Sequence, residues 1–443
     1  MKLATRGGCL KRNRSIFVGL LVGWLTAQPL AVQQDLAGTW IGQWERDGSI
    51  LEVEVTFTRT VSGYEGAFSS AQLRAVGIPF RRIRAEASRL SWELVGDATT
   101  AVFEGTVLGD TLAGQFREGD ATGTFRLTRG TRAVPLVREE EATFGNGPVT
   151  LSGTVIYPAG PGPFPGVVFL HGSGAEGRWA SRYLAHAFAR RGVAALIYDK
   201  RGVGTSTGDW REAGFAQLVG DASAAVEALR SRPRIARDRV GIHGHSQGGT
   251  IAPWVTHENP HVAFVVASAA AGISMAETEI YSLGNSVGVR GMAEAERRLA
   301  ERYIRAIVAA AYDGAPRAEV ENAWQDVRDR PWVFPPPPPS DFYWSFSRRI
   351  ASYNPLDSWR RVSAPALLVY GEGDERVPPR ASAARIAEAY LGSRGLRLDV
   401  VFFPGADHTF RLPPSAPAKF QWPRTVPGYP DRVIEWILQV PHP

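Results

Sequence analysis

The chain has 443 residues and a single cysteine, Cys9. So sparse a supply excludes an intramolecular disulfide framework and a zinc–thiolate site, and downstream of Cys9 there is no thiol nucleophile. Acidic residues are missing from the whole segment before Asp35, whereas five basic ones (Lys2, Arg6, Lys11, Arg12, Arg14) stand there. Long apolar runs are scarce as well. The run near the start, Ile16 to Ala27 (IFVGLLVGWLTA), has 12 residues, against the roughly 20 that a bilayer span requires. A basic start, a short apolar core and small residues at Ala27 and Ala31 predict a secretory signal peptide over residues 1–30. An uncleaved anchor is the alternative. Cys9 precedes the apolar core, whereas a lipidated cysteine would follow it. Five of the six net positive charges belong to this leader, so the rest of the chain has no excess charge to recruit nucleic acid. The expectation is an exported protein, periplasmic or secreted, with no membrane span once the signal is removed.

Phosphate loops of the Walker type are absent too. His257 and His261 are four residues apart, but Pro260 interrupts the helix that would align them on a metal. No metal and no other cofactor is expected. Nothing in the pattern sets an oligomeric state.

At this length two domains are expected, one of them large, and the 44% apolar and 21% charged residues are those of a globular protein. Residues 35–130 read as all-β. LEVEVTFT, LSWELVG, AVFEGTVLG, LAGQF and GTFRLTR alternate apolar and polar residues at period two between turns rich in Gly and Asp. A small barrel or sandwich is predicted, and its opening GTWIGQW resembles the start of lipocalin-like barrels. A charged linker follows over 131–141.

Residues 142–443 follow a different grammar. FGNGPVTLSGTVIYP reads as a hairpin, and then the apolar runs GVVFLHG, VAALIYD, RVGIHGH, AFVVASA, ALLVYGE and LDVVFFPG alternate with helical stretches. Continuous runs of this kind are strands buried on both faces, so the fold class is α/β with a mostly parallel sheet flanked by helices. Alternation stops between about 272 and 359, where a helical segment, five consecutive prolines (Pro335–Pro339) and many aromatics predict a cap inserted over the sheet. Those rings either pack the cap's own core or line a pocket.

Gly-x-Ser-x-Gly occurs three times, around Ser206, Ser246 and Ser286. An activated serine needs a tight turn between a strand and a helix, closed by glycines. Only GIHGHSQGG, around Ser246, has a strand before it and a helix after it. Ser206 lies in a loop and Ser286 in the cap. The serine also needs a base, itself oriented by an acid. Of eight histidines, His408 in FFPGADHTF follows the last predicted strand, and Asp374 in VYGEGDERVP follows the strand before it. The candidate oxyanion donors are the backbone N–H of Gln247, next to the nucleophile, and that of Ser173 in HGSG, with Gly174 as the fallback.

FLHGSG, YDKRGVGTSTG, GHSQGG, YGEGDERVP and GADHTF together resemble the α/β-hydrolase superfamily, in particular exported bacterial esterases related to dienelactone hydrolases and prolyl oligopeptidases. The resemblance covers about Ala142–Gln439. It implies an α/β-hydrolase fold with a cap, and cofactor-free hydrolysis through an acyl-enzyme in which Ser246, Asp374 and His408 form the triad. It also implies that Ser206 belongs to a structural loop. The substrate it suggests is a small-molecule acyl ester. A serine aminopeptidase, oligopeptidase or thioesterase is the alternative, for which Glu277, Glu279, Glu294 and Glu296 are candidate amine acceptors, although on a helix such charges usually face solvent. A non-catalytic binding protein with a relic hydrolase domain is the distant one.

Overall fold

The computed structural model describes residues 35–96, 99–130, 137–392, 397–414 and 420–440. The expected signal peptide, including Cys9, lies outside the described residues.

The first domain is one antiparallel sheet of nine strands: β1 (Gly38–Arg46), β2 (Ser49–Thr60), β3 (Gly63–Ser70), β4 (Ala75–Pro79), β5 (Arg81–Glu86), β6 (Arg89–Val95), β7 (Thr100–Leu108), β8 (Thr111–Glu118) and β9 (Ala121–Arg129). Their order is β4-β3-β2-β1-β9-β8-β7-β6-β5. The two edge strands are consecutive in sequence, which nearly closes the sheet into a barrel. Period-two patterning decides which face is inside. Leu51, Val53, Val55 and Phe57 of β2 are buried, while Glu52 and Thr58 between and beside them are exposed. The interior is aromatic: Trp40, Trp44, Phe57, Trp92 and Phe103 are almost completely buried, and Trp92 stacks on Phe103 with ring centroids 4.9 Å apart.

The second domain is built on eight strands, β10 (Arg138–Asn146), β11 (Val149–Tyr157), β12 (Phe164–Leu170), β13 (Ala194–Tyr198), β14 (Ile235–His245), β15 (Val265–Ser268), β16 (Ala366–Gly371) and β17 (Leu398–Phe403). They run in the order β10-β11-β13-β12-β14-β15-β16-β17. The β10–β11 and β11–β13 pairs are antiparallel and the others parallel. Helices cover both faces, among them α1 (Trp179–Arg190), α2 (Phe215–Arg230) and α3 (Gln247–Glu258). The sheet's two buried faces form separate apolar cores.

One boundary differs from expectation. Residues 138–141, read as linker, are the first half of β10. This is an edge strand whose outward carboxylates are paired: Glu139 with Arg182 and Glu141 with Arg178, each at 2.7 Å. Charges that looked like linker composition are those of a half-solvated edge.

Between β15 and β16 lie α4 (Met275–Ser286), α5 (Glu294–Val308), α6 (Arg317–Gln325), α7 (Phe342–Ile350) and α8 (Pro355–Trp359). Helices α4 to α7 form the cap. Tyr303, Ile307, Val320 and Val327 make its own core, with Trp324, Trp332 and Phe334 against it. Trp359, at the end of α8, is instead buried in the main core.

Candidate active site

The chain turns from β14 into α3 at Ser246, which has φ 54° and ψ −115°. A non-glycine residue in this region costs on the order of 1–3 kcal/mol and persists only where its surroundings enforce it. Here the Ser246 N–H donates to the Ser268 carbonyl at 2.9 Å, anchoring the turn to the neighbouring strand β15. Gly244 and Gly248 are required by close approach. A Cβ on Gly244 would collide with the Gly248 carbonyl, and one on Gly248 would lie 2.6 Å from the Leu170 carbonyl.

The hydroxyl of Ser246 lies 2.9 Å from His408 Nε2, and His408 Nδ1 lies 2.8 Å from Asp374 Oδ2. The sequence separates these residues by as many as 162 positions; the sheet unites them because each follows the C-terminal end of a strand (β14, β16 and β17). Asp374 and His408 are both buried. The other oxygen of Asp374, Oδ1, accepts from the N–H groups of Arg376 and Val377, each at 2.8 Å. One carboxylate oxygen is thus held by backbone and the other is left for the imidazole. The hydroxyl of Tyr281, on α4, donates to the Asp374 carbonyl at 2.9 Å, which ties the cap to the acid's loop.

Gln247 opens α3, where the first N–H groups have no partner within the helix. Ser173 and Gly174, in the loop after β12, line the same cavity as Ser246 and Gln247. Two residues that sequence reasoning passed over hold this loop. The Lys200 Nζ donates to the carbonyls of Gly172 (2.6 Å) and Gly174 (2.9 Å) and to Gln247 Oε1 (3.1 Å). Burial lowers its pKa to about 8, with the carboxylate of Glu176 opposing the shift. Glu176 accepts from the Gly172 N–H at 2.7 Å, and burial raises its pKa. The available signal was a run of three charged residues, Asp199-Lys-Arg, directly after an apolar strand. All three are buried.

The remaining histidines near the elbow are structural. His171 Nε2 donates to the Tyr198 carbonyl at 2.6 Å, and His245 Nε2 to the His408 carbonyl at 2.9 Å. Burial is the main cause that lowers His171 to about 3 and His245 to about 4, so both are neutral rings. The rival serines also have assigned places. The buried Ser206 Oγ donates to the Asp199 carbonyl at 2.7 Å and accepts from the Ser152 N–H at 3.0 Å. Ser286 ends α4 and its hydroxyl donates to the Leu283 carbonyl at 2.8 Å.

Ser246 and His408 open into a cavity of about 550 Å³. The cap's aromatics divide between the two expected roles. Tyr312, Phe342, Tyr343 and Phe346 line this cavity with Trp210, whereas Trp324, Trp332 and Phe334 pack the cap. Tyr312 is delivered by a five-residue π-helical turn, Ala309–Asp313, at the end of α5; such turns reorient side chains without breaking a helix. Glu279 corrects the expectation of a solvated cap face. It lies in the cavity wall, its Oε1 accepts from the Tyr343 hydroxyl at 3.3 Å, and burial raises its pKa against the nearby Arg376. Glu277 caps α4 in a reciprocal pair with Ser274, and Glu294 and Glu296 stand in the first turn of α5.

Residues 163–410 match the family described as serine aminopeptidase, S33. The chain belongs to that family of α/β hydrolases. That family comprises α/β hydrolases of the esterase and aminopeptidase group. Esterase EstD of Thermotoga maritima is 28% identical over 155 residues, which span 32% of this chain and 37% of that esterase. Among solved structures, the Pyrococcus furiosus esterase Pf2001 is 17% identical, with 68% of this chain and 91% of that one covered at a TM-score of 0.45. Est1E of Butyrivibrio proteoclasticus, solved with ferulic acid bound, is 16% identical, with 67% and 95% covered at a TM-score of 0.42.

Proposed function

We propose that this S33-family hydrolase is a carboxylesterase that works through an acyl-enzyme on Ser246. The observation that carries this reading is the position of His408, between Ser246 Oγ and the buried Asp374 at the floor of an aromatic-lined cavity. His408 takes the hydroxyl proton as Ser246 attacks the ester carbonyl, and returns it to the departing alcohol. Asp374 fixes the ring's orientation and stabilises the imidazolium. The N–H groups of Gln247 and Ser173, or Gly174 in its place, receive the oxyanion. Water then repeats the sequence on the acyl-enzyme and releases the carboxylic acid.

Esters are favoured over aminopeptidase substrates by the charges in the cavity. An amine-terminated substrate needs an ionised carboxylate, but burial raises the pKa of both carboxylates in the wall, Glu176 and Glu279, and so disfavours their charged form. The test compares p-nitrophenyl butyrate with amino-acid p-nitroanilides. Ester turnover with negligible anilide turnover supports this reading; the reverse order replaces it with the peptidase. We further propose that the enzyme acts outside the cytoplasm, on the strength of the basic start and the apolar run Ile16–Ala27. N-terminal sequencing of the mature protein, showing loss of about 30 residues, is the check.

A further inference from the structure

The two domains meet directly behind the loop that carries His408. This loop is wired by hydrogen bonds on one side: Asp407 Oδ1 accepts from the Thr409 N–H (2.8 Å), the Thr409 hydroxyl (3.0 Å) and the Arg411 N–H (2.8 Å). Its carbonyls point the other way. That of His408 is held by His245, and that of Thr409 accepts from the guanidinium of Arg74, which comes from the turn between β3 and β4 of the first domain.

Packing fixes the loop at Phe410, which is buried and stacked on Tyr429, but not behind Thr409. A cavity of about 250 Å³ lies behind it, lined by Arg74, Tyr183, Leu184, His243, Phe410 and Tyr429. Gly172, Glu176, His245 and Thr409 are walls of both this cavity and the catalytic one. Where side chains do not close-pack against a segment, dispersion contacts there are lost and directional bonds must hold it. Arg74 itself and Phe410, the residue after Thr409, are also backbone-strained, with φ of 53° and 61°, conformations that need tertiary enforcement. The guanidinium makes no ion pair among the described residues, and burial lowers its pKa. Domain attachment as such does not require a desolvated arginine at this point. Other bonds across the boundary serve that purpose, such as Trp422 Nε1 to the Ser49 carbonyl at 3.1 Å.

We infer that Arg74 is a positioning residue supplied by the β-domain: by holding the Thr409 carbonyl it keeps His408 in line between Asp374 and Ser246. The β-domain is on this account a structural part of the catalytic unit. The inference rests on His408 being the base, as proposed above.

The test uses the full chain with p-nitrophenyl butyrate. Fluorophosphonate labelling of the wild type at Ser246 first checks the underlying reading by itself. Arg74→Ala is then expected to lower kcat by roughly ten- to a hundred-fold, the cost of a small misplacement of a reacting group, with KM within about two-fold. Its labelling rate falls in parallel, and its circular-dichroism spectrum is unchanged. Millimolar guanidinium restores much of kcat to Arg74→Ala but not to Arg74→Met, whose side chain fills the space. Thr425→Val, which removes a different cross-domain bond to the Gln72 carbonyl, keeps wild-type kcat. Wild-type kcat in Arg74→Ala would overturn the inference. So would an equal loss in Thr425→Val, or a loss that follows the unfolded fraction and resists guanidinium, because either assigns Arg74 to domain attachment alone.

Discussion

Lys200 donates to three acceptors from a site where its charge is poorly solvated. Its pKa of about 8 lies below the ordinary 10.5, so between those values the unfolded chain holds the proton more tightly. Folding stability contributed by this group therefore rises with pH through that window and is not the reason for the lysine. Its effect should appear in rate. The neutral amine has only two hydrogens for three acceptors, so kcat is expected to fall at alkaline pH with an apparent pKa near 8. Lys200→Met should abolish that limb and lower kcat overall by roughly ten- to a hundred-fold through disorder of the oxyanion loop; a pH–rate profile of both proteins checks this. The contrast between Lys200 and the proposed triad explains what the sequence disclosed. Ser246, Asp374 and His408 were legible because each is a specific residue type at the end of an apolar strand run, in a fixed order. Lys200 and Glu176 were not, because their roles arise from burial and from a loop that folds back on them, and neither leaves a spacing pattern.

Among elements, the loop after β13 is the most informative. It holds the first Gly-x-Ser-x-Gly match, yet Ser206 is a staple that joins the loop to Asp199 and to the Ser152 N–H of β11. Ser206→Ala should therefore leave kcat/KM for p-nitrophenyl butyrate unchanged and lower stability by about 1–3 kcal/mol, the cost of unpaired buried groups; paired kinetics and denaturant titration separate the two effects. The same loop carries a buried two-point ion pair, Arg201 to Asp221 on α2, at 2.7 and 2.6 Å, with Asn146 of β10 donating to Asp221 at 2.8 Å. Arg201→Met strands the carboxylate and should cost about 3–5 kcal/mol, read as a lower urea midpoint. Element type was recovered from periodicity for the long, fully buried strands. It failed for the first half of β10, where paired glutamates on an edge imitate a linker, and for β5, whose mostly polar, exposed residues conceal its pairing.

At the scale of the whole molecule, three bodies converge on one site. The α/β sheet presents the strand ends, the cap roofs the cavity with Tyr312, Phe342, Tyr343 and Phe346, and the β-domain reaches the back of the histidine loop through Arg74. Sequence reasoning found all three but not their meeting, since contacts across hundreds of residues are set by docking and carry no local signal. Phe346→Ala should raise KM for aromatic esters more than for acetate, by roughly ten-fold for a pocket that loses about 1–3 kcal/mol of apolar contact, as an ester panel would reveal. The central claim is that Ser246, and neither of the other two patterned serines, forms the acyl-enzyme. Its most direct test is steady-state hydrolysis of p-nitrophenyl butyrate by Ser246→Ala. In a folded protein kcat is expected to fall by roughly five to six orders of magnitude; turnover within ten-fold of the wild type would rule Ser246 out as the nucleophile.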